Sequence, residues 1–464
     1  MLLSFLGFLA FFTLVGLSSF FKSRGTKNDY YLASSTIPPA FVGLSAVATN
    51  NSGYMFIGVI GYTYHVGMAA LWLMLGWIAG DFIASLLIHK PLKTAADKSG
   101  QASYAGVISH WHGTPLSKLQ RTIALVSLVF LIAYAAAQLV AGSKALHVLL
   151  DWPLWAGACV GAVMVGLYCM AGGIRASIWT DVAQSLVMII AMAILLIVAI
   201  NNQGGLDLAW RKLQQIEGYT DWIPGDLLLP GMRGLLLFII AWVFAGFSVI
   251  GQPHIMLRFI TLKNSQLMVQ ARLWYYLWFV LFYFMATGVG MLSRLYFSKI
   301  GSFDAELALP SMALTLLPEF WVGLILAGIF AATMSTADSL VLSCSAAVTH
   351  DLVPGEIKKT RSLKIATLCI CIAALLLALS NNQSVFSLVL FAWSGLASAL
   401  APLLLFYVFK QRPSERLSIL ALLAGLGVAI LWRVCGLHAH IYEGLPGIIV
   451  GVLILSLERL SRQP

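Results

Sequence analysis

Ala48-Thr49-Asn50-Asn51-Ser52-Gly53 places two amides, two hydroxyls and a glycine in the middle of an apolar run from 40 to 63. Lipid cannot satisfy a free backbone N–H or C=O, so a spanning helix interrupted there must line a cavity or hold a ligand. The run from 233 to 253 is interrupted in the same way. It carries Ala245-Gly246-Phe247-Ser248 and then Gly251-Gln252-Pro253-His254. Polar, glycine-containing breaks at matching positions five helices apart point to an inverted-repeat transporter whose site lies at the two breaks.

The rest of the chain agrees with a membrane solvent. Of 464 residues, 60% are hydrophobic and 10% charged, and the mean hydropathy is +0.90, a combination foreign to water-soluble domains. Spans of roughly 20 apolar residues are expected near 2–21, 40–63, 67–88, 122–146, 152–171, 179–200, 233–253, 273–293, 321–348, 364–380, 384–409, 417–434 and 446–458, about thirteen in all. The first lacks a basic n-region and a small-residue cleavage site, and is read as a retained helix. Connections are too short for a soluble domain, and Leu206 to Leu213 is amphipathic, as a surface-lying helix would be.

The formal charge of +10 is topological rather than a nucleic-acid footprint. Lys22, Arg24, Lys27, Lys90, Lys93, Lys98, Lys118, Arg121, Arg175, Arg258, Lys263, Arg272, Lys358, Lys359, Arg361, Lys364, Lys410, Arg412, Arg416, Arg459 and Arg462 fall in alternate connections, 21 of the 28 basic residues. Lys144, Arg211, Lys212, Arg233, Arg294, Lys299 and Arg433 hold the others. The positive-inside rule then sets the N-terminus outside and the C-terminus in the cytoplasm. The six cysteines lie within or at the edges of spans and imply no disulfide framework.

A third stretch carries chemistry. Ala331 to Ser345 surrounds Asp338 with hydroxyls in an apolar segment, where a carboxylate costs about 2.5–3.5 kcal/mol even on the lenient insertion scale. Ser335, Asp338 and Ser339 fall at i, i+3 and i+4, and Ala332 and Thr336 are four apart, giving two adjoining polar lines. Hard oxygen donors of this kind suit Na⁺, and the carbonyls freed at a helix break supply the remainder. Asp81 and Asp181 are the other intramembrane acids; function is the default reading of each, and for Asp181, near the start of its expected helix, a cap or dipole partner is the plainer alternative. His110-Trp111-His112 and His438-Ala439-His440 lack acid or cysteine companions at metal spacing. The absence of a Gly-x-x-x-x-Gly-Lys-Ser/Thr loop speaks against ATP-driven pumping.

At these motifs the chain resembles the sodium/solute symporter family, and within it the sodium/proline symporters. The resemblance rests on Leu44-Ser45-Ala46, Asn51-Ser52-Gly53 with Gly58, Gly172-Gly173 before Trp179-Thr180-Asp181, Gly251-Gln252-Pro253-His254, Met334-Ser335-Thr336, and Ala392-Trp393 with Gly395. It implies an all-α polytopic membrane protein with a LeuT-like core of two inverted five-helix repeats (40–200 and 233–409), one extra helix before them (1–22) and two after (417–458). It further implies Na⁺-driven uptake through a bacterial inner membrane, not an enzyme activity. The principal sodium site carries over to the carbonyls of Ala48, Asn51 and Ala332 and the hydroxyls of Ser335 and Thr336. A possible second cation site carries over to Asp181, Asp338 and Ser339.

Departures accompany the resemblance. The proline symporters have an aspartate where this chain has Asn50, and a small residue and a hydroxyl where it has Asp81 and Asp338. Aromatics in their seventh-span break appear here as Ala245 and Val249, although Trp242, Phe244 and Phe247 lie nearby. By position, Asn50, Tyr54, Gln138, Phe247, Ser248 and Gln252 are the expected substrate contacts. Freed amides at a break favour an anionic group, so an amino acid or another carboxylate is the expected small-molecule substrate. Proton coupling through Asp338 stays open as an alternative, as does a solute-sensing module of the same fold. Membrane lipid is the expected surrounding, nucleic acid is not an expected partner, and the oligomeric state is open.

Overall fold

The computed structural model describes every residue except 23, 25, 226, 298–302, 354–358, 381–383 and 462–464, and only the backbone of 20, 171 and 458–461. Lys299, Lys358 and Arg462 of the charge pattern therefore lie outside the described residues. Among the described residues the only strand-like pairing is one isolated bridge, Ile37 with Leu262.

Helices occupy every expected span. α1 (Leu2–Ser18) precedes the broken second span, formed by α2 (Pro39–Gly53), a π-helical turn at Tyr54–Val59 and α3 (Ile60–Val66). Gly67, at φ +69°, separates these from α4 (Ala70–Ala84). Next come α5 (Ser117–Leu150), α6 (Leu154–Gly172) and α7 (Ile174–Asn202). The seventh span is α8 (Gly231–Phe247), a 3-10 turn at Ser248–Gly251 and α9 (Pro253–Ile260). α10 (Met268–Tyr296), α11 (Glu319–Ala346), α12 (Thr360–Ser380), α13 (Val385–Val408), α14 (Glu415–Val434) and α15 (Gly444–Ser461) follow.

The starts are chemically marked. Pro39 and Pro253 open α2 and α9, where a missing N–H costs nothing. Ser384 and Ser414 accept the Ser387 and Leu417 amides at the heads of α13 and α14.

Among the described residues nine helical stretches are long and apolar enough to cross a membrane, and one of them, 39–99, contains both the second and third expected spans. Shorter apolar helices stand at the first, fifth and last expected spans. The start of one helix and the content of one connection differ from expectation. α7 begins at Ile174 rather than near 179, because Gly173 adopts φ +58° and a Cβ there would lie 2.3 Å from the Tyr30 carbonyl. Asp181 consequently sits two turns inside α7, buried, and is no helix cap. The connection after α10 contains a further short apolar helix, Ala308–Leu316. The amphipathic stretch forms the helix Leu206–Gln214, burying Ala209 and Leu213 and exposing Arg211 and Lys212.

α11 is the axis of the molecule. Every residue from Val322 to Ala346 is buried, so its hydroxyl lines face protein on all sides. α4 and α8 meet through small residues. A Cβ on Gly80 would lie 1.8 Å from the Val243 carbonyl, and one on Gly246 1.9 Å from that of Trp77. Small residues let membrane helices approach backbone to backbone. Gly80→Ala should therefore destabilise the folded protein by about 1–3 kcal/mol, read as a lower thermal midpoint in detergent. Gly166→Ala, with nothing within 4 Å of its new Cβ, should leave the midpoint unchanged or raised.

Candidate functional site

Helical geometry ends at Ser52, whose φ of +35° and ψ of −177° lie outside the right-handed well. Such a conformation costs on the order of 1–3 kcal/mol and persists only when neighbours over-determine it. Here α5 supplies neighbours. Gln138 Oε1 accepts the Gly53 N–H at 2.8 Å, and the Tyr134 hydroxyl, one turn away on the same face, donates to Ser52 Oγ at 3.3 Å. Ser52 Oγ in turn accepts the Tyr54 N–H at 3.1 Å.

α11 meets the carbonyls just before the break. Ser335 Oγ lies 3.2 Å from the Ala48 carbonyl and 3.1 Å from that of Ala332. Thr336 Oγ1 lies 2.8 Å from the Thr49 carbonyl and 3.2 Å from that of Ala332. The structure thus brings Ala48, Ala332, Ser335 and Thr336 together, with Thr49 as an additional member. The Asn51 carbonyl is engaged by the Tyr54 N–H, while the Asn51 amide donates to Val47 and leaves Oδ1 buried without a partner among the described residues. The cluster is entirely of oxygen and carries no charge.

One turn along α11 lies a charged cluster with a member that the sequence alone does not single out. Arg258 of α9 reaches between the carboxylates expected to hold a second cation, with Nη2 3.2 Å from Asp181 Oδ2 and 3.7 Å from Asp338 Oδ1. The same nitrogen donates to the hydroxyls of Ser177 and Ser339. Ser45 Oγ donates to Asp181 at 2.5 Å, and Ser177 and Ser339 donate to Asp338 at 2.7 and 3.0 Å. Asp181 Oδ1 and Asp338 Oδ2 remain buried without partners among the described residues. Two carboxyl groups thus face one guanidinium. Ser339 also donates to the Ser335 carbonyl at 2.6 Å and meets Thr49 Oγ1 at 3.2 Å, so the two clusters are continuous.

The expected substrate residues divide. Asn50 turns toward α4 and α10, where its Nδ2 donates to Asp81 at 3.1 Å and to the Tyr275 hydroxyl. Gln138 braces the break, with Nε2 left without a partner among the described residues. Tyr54 stands in an aromatic column running Tyr62–Phe386–Tyr54–Trp77–Trp393, with successive centroids 5.6, 5.2, 5.4 and 5.5 Å apart. At the second break Gln252 Nε2 donates to the Trp393 carbonyl at 3.0 Å, and Ser248 accepts from the Tyr442 hydroxyl at 3.1 Å. Trp393 Nε1 closes that break by donating to the Ala245 carbonyl at 2.8 Å. Phe247 stands apart, partly exposed, with its nearest ring contact to Phe244 at 6.5 Å.

Beyond Tyr62 and Phe386 opens a cavity of about 590 Å³ lined also by Lys144, Asp304, Glu306 and Ser384. Glu306 pairs with Lys144 at 2.6 Å and accepts the Ser384 hydroxyl, joining α5 to the head of α13. At the other end of α2, Asp29 pairs with Arg175 at 2.6 Å. Burial opposes its ionisation, but the Arg24 amide and the Arg175 guanidinium outweigh that and hold the carboxyl below its usual range. No group of three or more metal-ligating His, Cys, Asp or Glu side chains exists among the described residues.

Comparison with known proteins accounts for this arrangement. Residues 30–425 match the family model described as the sodium:solute symporter family. A sodium/proline symporter of Escherichia coli (strain K12) is 29% identical, over 98% of this chain and 93% of its own length. A high-affinity proline transporter of Bacillus subtilis (strain 168) is 26% identical, over 94% and 93%. Among solved structures, the substrate-bound outward-open state of a Na⁺-coupled sialic acid symporter superposes with a TM-score of 0.81 at 18% identity, covering 99% of this chain and 98% of that one. Mhp1, a nucleobase-cation-symport-1 family transporter in a closed conformation, gives 0.62 at 14% identity, covering 93% and 94%. With the LeuT-like fold, two broken helices and a match over most of its length, this chain belongs to the sodium:solute symporter family and couples uptake of a small solute to sodium.

Proposed function

We propose that the solute is proline or a small amino acid of similar shape, carried with a sodium ion held between α2 and α11. One observation carries the ion assignment: Ser335 and Thr336 rest their hydroxyls on the Ala48 and Thr49 carbonyls beside a helix break. An uncharged cradle of carbonyl and hydroxyl oxygens is the donor set a hard monovalent cation takes. Ala48, Ala332, Ser335 and Thr336 are its members, and Asn51 joins when its carbonyl exchanges the Tyr54 amide for the ion. By tying α2 to α11, sodium favours the state in which the two are in contact, and that differential affinity is the coupling. The proline assignment is supported by near-full-length similarity to proteins named as proline transporters.

The solute lies between the breaks, with Asn50, Tyr54, Gln138, Ser248 and Gln252 as its polar and aromatic contacts and Phe247 at its margin. Asp181, Asp338 and Ser339 hold a second cation, Na⁺ or H⁺, with Arg258 as the fixed charge that limits them to one. The chain is inserted in a bacterial inner membrane as thirteen spans, N-terminus outside and C-terminus cytoplasmic, with repeats at 40–200 and 233–409.

In proteoliposomes, an inward sodium gradient should drive accumulation of radiolabelled proline, and its collapse should abolish accumulation. Failure to accumulate proline under that gradient sinks the assignment. Ser335→Ala and Thr336→Ala should each raise the half-saturating sodium concentration about tenfold, the equivalent of ~1.4 kcal/mol, while the folded protein is retained. Arg258→Gln should destabilise the protein by about 3–5 kcal/mol, because it strands two buried carboxylates. Adding Asp338→Asn to that variant should recover a large part of the loss, as measured by thermal unfolding in detergent.

A further inference from the structure

Asp81 is wholly buried on α4, and among the described residues no basic side chain pairs with it. Three donors surround it instead. Asn50 Nδ2 lies 3.1 Å and the Tyr275 hydroxyl 2.9 Å from Oδ2, and the Tyr276 hydroxyl 2.6 Å from Oδ1. Tyr275 and Tyr276 both come from α10, so one carboxylate gathers α4, α10 and the residue two places before the break in α2. An intramembrane acid without a countercharge is retained for function by default, and neither cation cluster described above uses this one.

The geometry points to Asp81 as the positioning residue of the solute site, one that turns Asn50 so that its carbonyl oxygen is offered to a solute bearing a protonated amine. This inference rests on the proposal that Asn50 touches the solute. A side-chain amide has a donating and an accepting end that are nearly the same shape, and only its partners decide which way it faces. A carboxylate accepts hydrogen bonds, so it draws Nδ2 to itself. The planar amide then directs Oδ1 away from α4.

Oδ1 has no donor of its own among the described residues, and Asn50 is 5% exposed. A hydrogen bond from Nδ2 to a buried carboxylate polarises the amide and makes Oδ1 a stronger acceptor. Such an oxygen complements an N–H₂⁺ group and turns away a solute that presents only lone pairs. The site thus selects imino and amino acids over carboxylates of the same ring size. An amine reads the Asp81 field through Asn50 without contacting Asp81, which the tyrosines seal off.

The test compares proline with tetrahydro-2-furoic acid, which keeps the ring and the carboxylate and replaces the ring nitrogen by oxygen. Competing against radiolabelled proline in sodium-driven proteoliposomes, unlabelled proline should outcompete the oxygen analogue by about 100-fold or more in the wild type. In Asp81→Asn the orienting acceptor is gone, and the ratio should fall to about tenfold or less. The KM for proline should rise about tenfold while half-saturation by sodium stays within about twofold. A merely structural role would lower the amount of active protein and leave the ratio untouched.

The exchange Asn50→Asp with Asp81→Asn guards against misfolding, which gel filtration in detergent would reveal. It preserves charge and volume, puts an acceptor at position 50, and should keep the wild-type ratio. An unchanged ratio in Asp81→Asn, or an exchange variant that folds yet discriminates no better than that single variant, overturns the inference and leaves the proposed function standing. Absence of proline accumulation by the wild type overturns both.

Discussion

A helix broken inside lipid leaves carbonyl and amide groups that no solvent will satisfy, and the rest of this structure is arranged around that demand at Ser52. α5 answers the amide side through Gln138 and Tyr134. α11 answers the carbonyl side through Ser335 and Thr336. Hydroxyls are suited to the task because they can donate to a carbonyl in one state and present a lone pair to an ion in another. An alkyl group there would leave the carbonyls orphaned. α11 can carry such a line only because it is buried over nearly its whole length, which in turn requires other helices to face lipid.

Charge is handled separately from the ion cradle. Arg258, Asp181 and Asp338 form a buried cluster joined to the cradle through Ser339, whose hydroxyl reaches the Ser335 carbonyl. Breaking such a cluster by removing one member is far costlier than its net contribution to stability. Its role is therefore better read as fixing α7, α9 and α11 in one arrangement than as a source of stability. A cation arriving beside Asp181 Oδ1 or Asp338 Oδ2 would alter the balance within this cluster and reach the proposed sodium cradle through a single hydroxyl.

Much of this is legible in the sequence, for identifiable reasons. Breaks are visible because polar residues and glycine in mid-span are too costly in lipid to persist without a partner, and the pairing of Ser335 and Thr336 with the first break is what the family resemblance implies. The spans, though not all their ends, follow from hydropathy. Arg258 escapes a reading of the sequence because it follows the second break by only five residues and counts with the cytoplasmic charges. Burial decides between those two places, and burial is a tertiary property. The alternative of Asp181 as a helix cap falls because the start of α7 depends on a positive φ at Gly173 packed against Tyr30. Tyr275 and Tyr276 lie among many aromatics of α10, and nothing in their spacing distinguishes the two that meet Asp81. The aromatic column from Tyr62 to Trp393 joins residues more than three hundred positions apart and has no local signature.

Two of the sets of bonds that hold α2 differ in reach. Before the break it is tied to α11 through carbonyls, and at Asn50 it is tied to α4 and α10 through Asp81. The Asp81 bonds join Asn50, Asp81 and Tyr275, all buried, with a partly buried Tyr276, and α4 is itself locked to α8 by backbone approach at Gly80 and Gly246. The α11 bonds are single hydroxyl contacts that an ion can replace. Alternating access is largely a rigid-body movement of one set of helices against another about a fixed site. With sodium placed as proposed, the division of bonds makes the α11 contact the one that would yield, α2 moving with α4, α8 and α10. A solute at Asn50, as proposed, would move with the first set, and a sodium ion at Ser335 and Thr336 would bridge both. This is the geometry in which binding of one can change the affinity for the other.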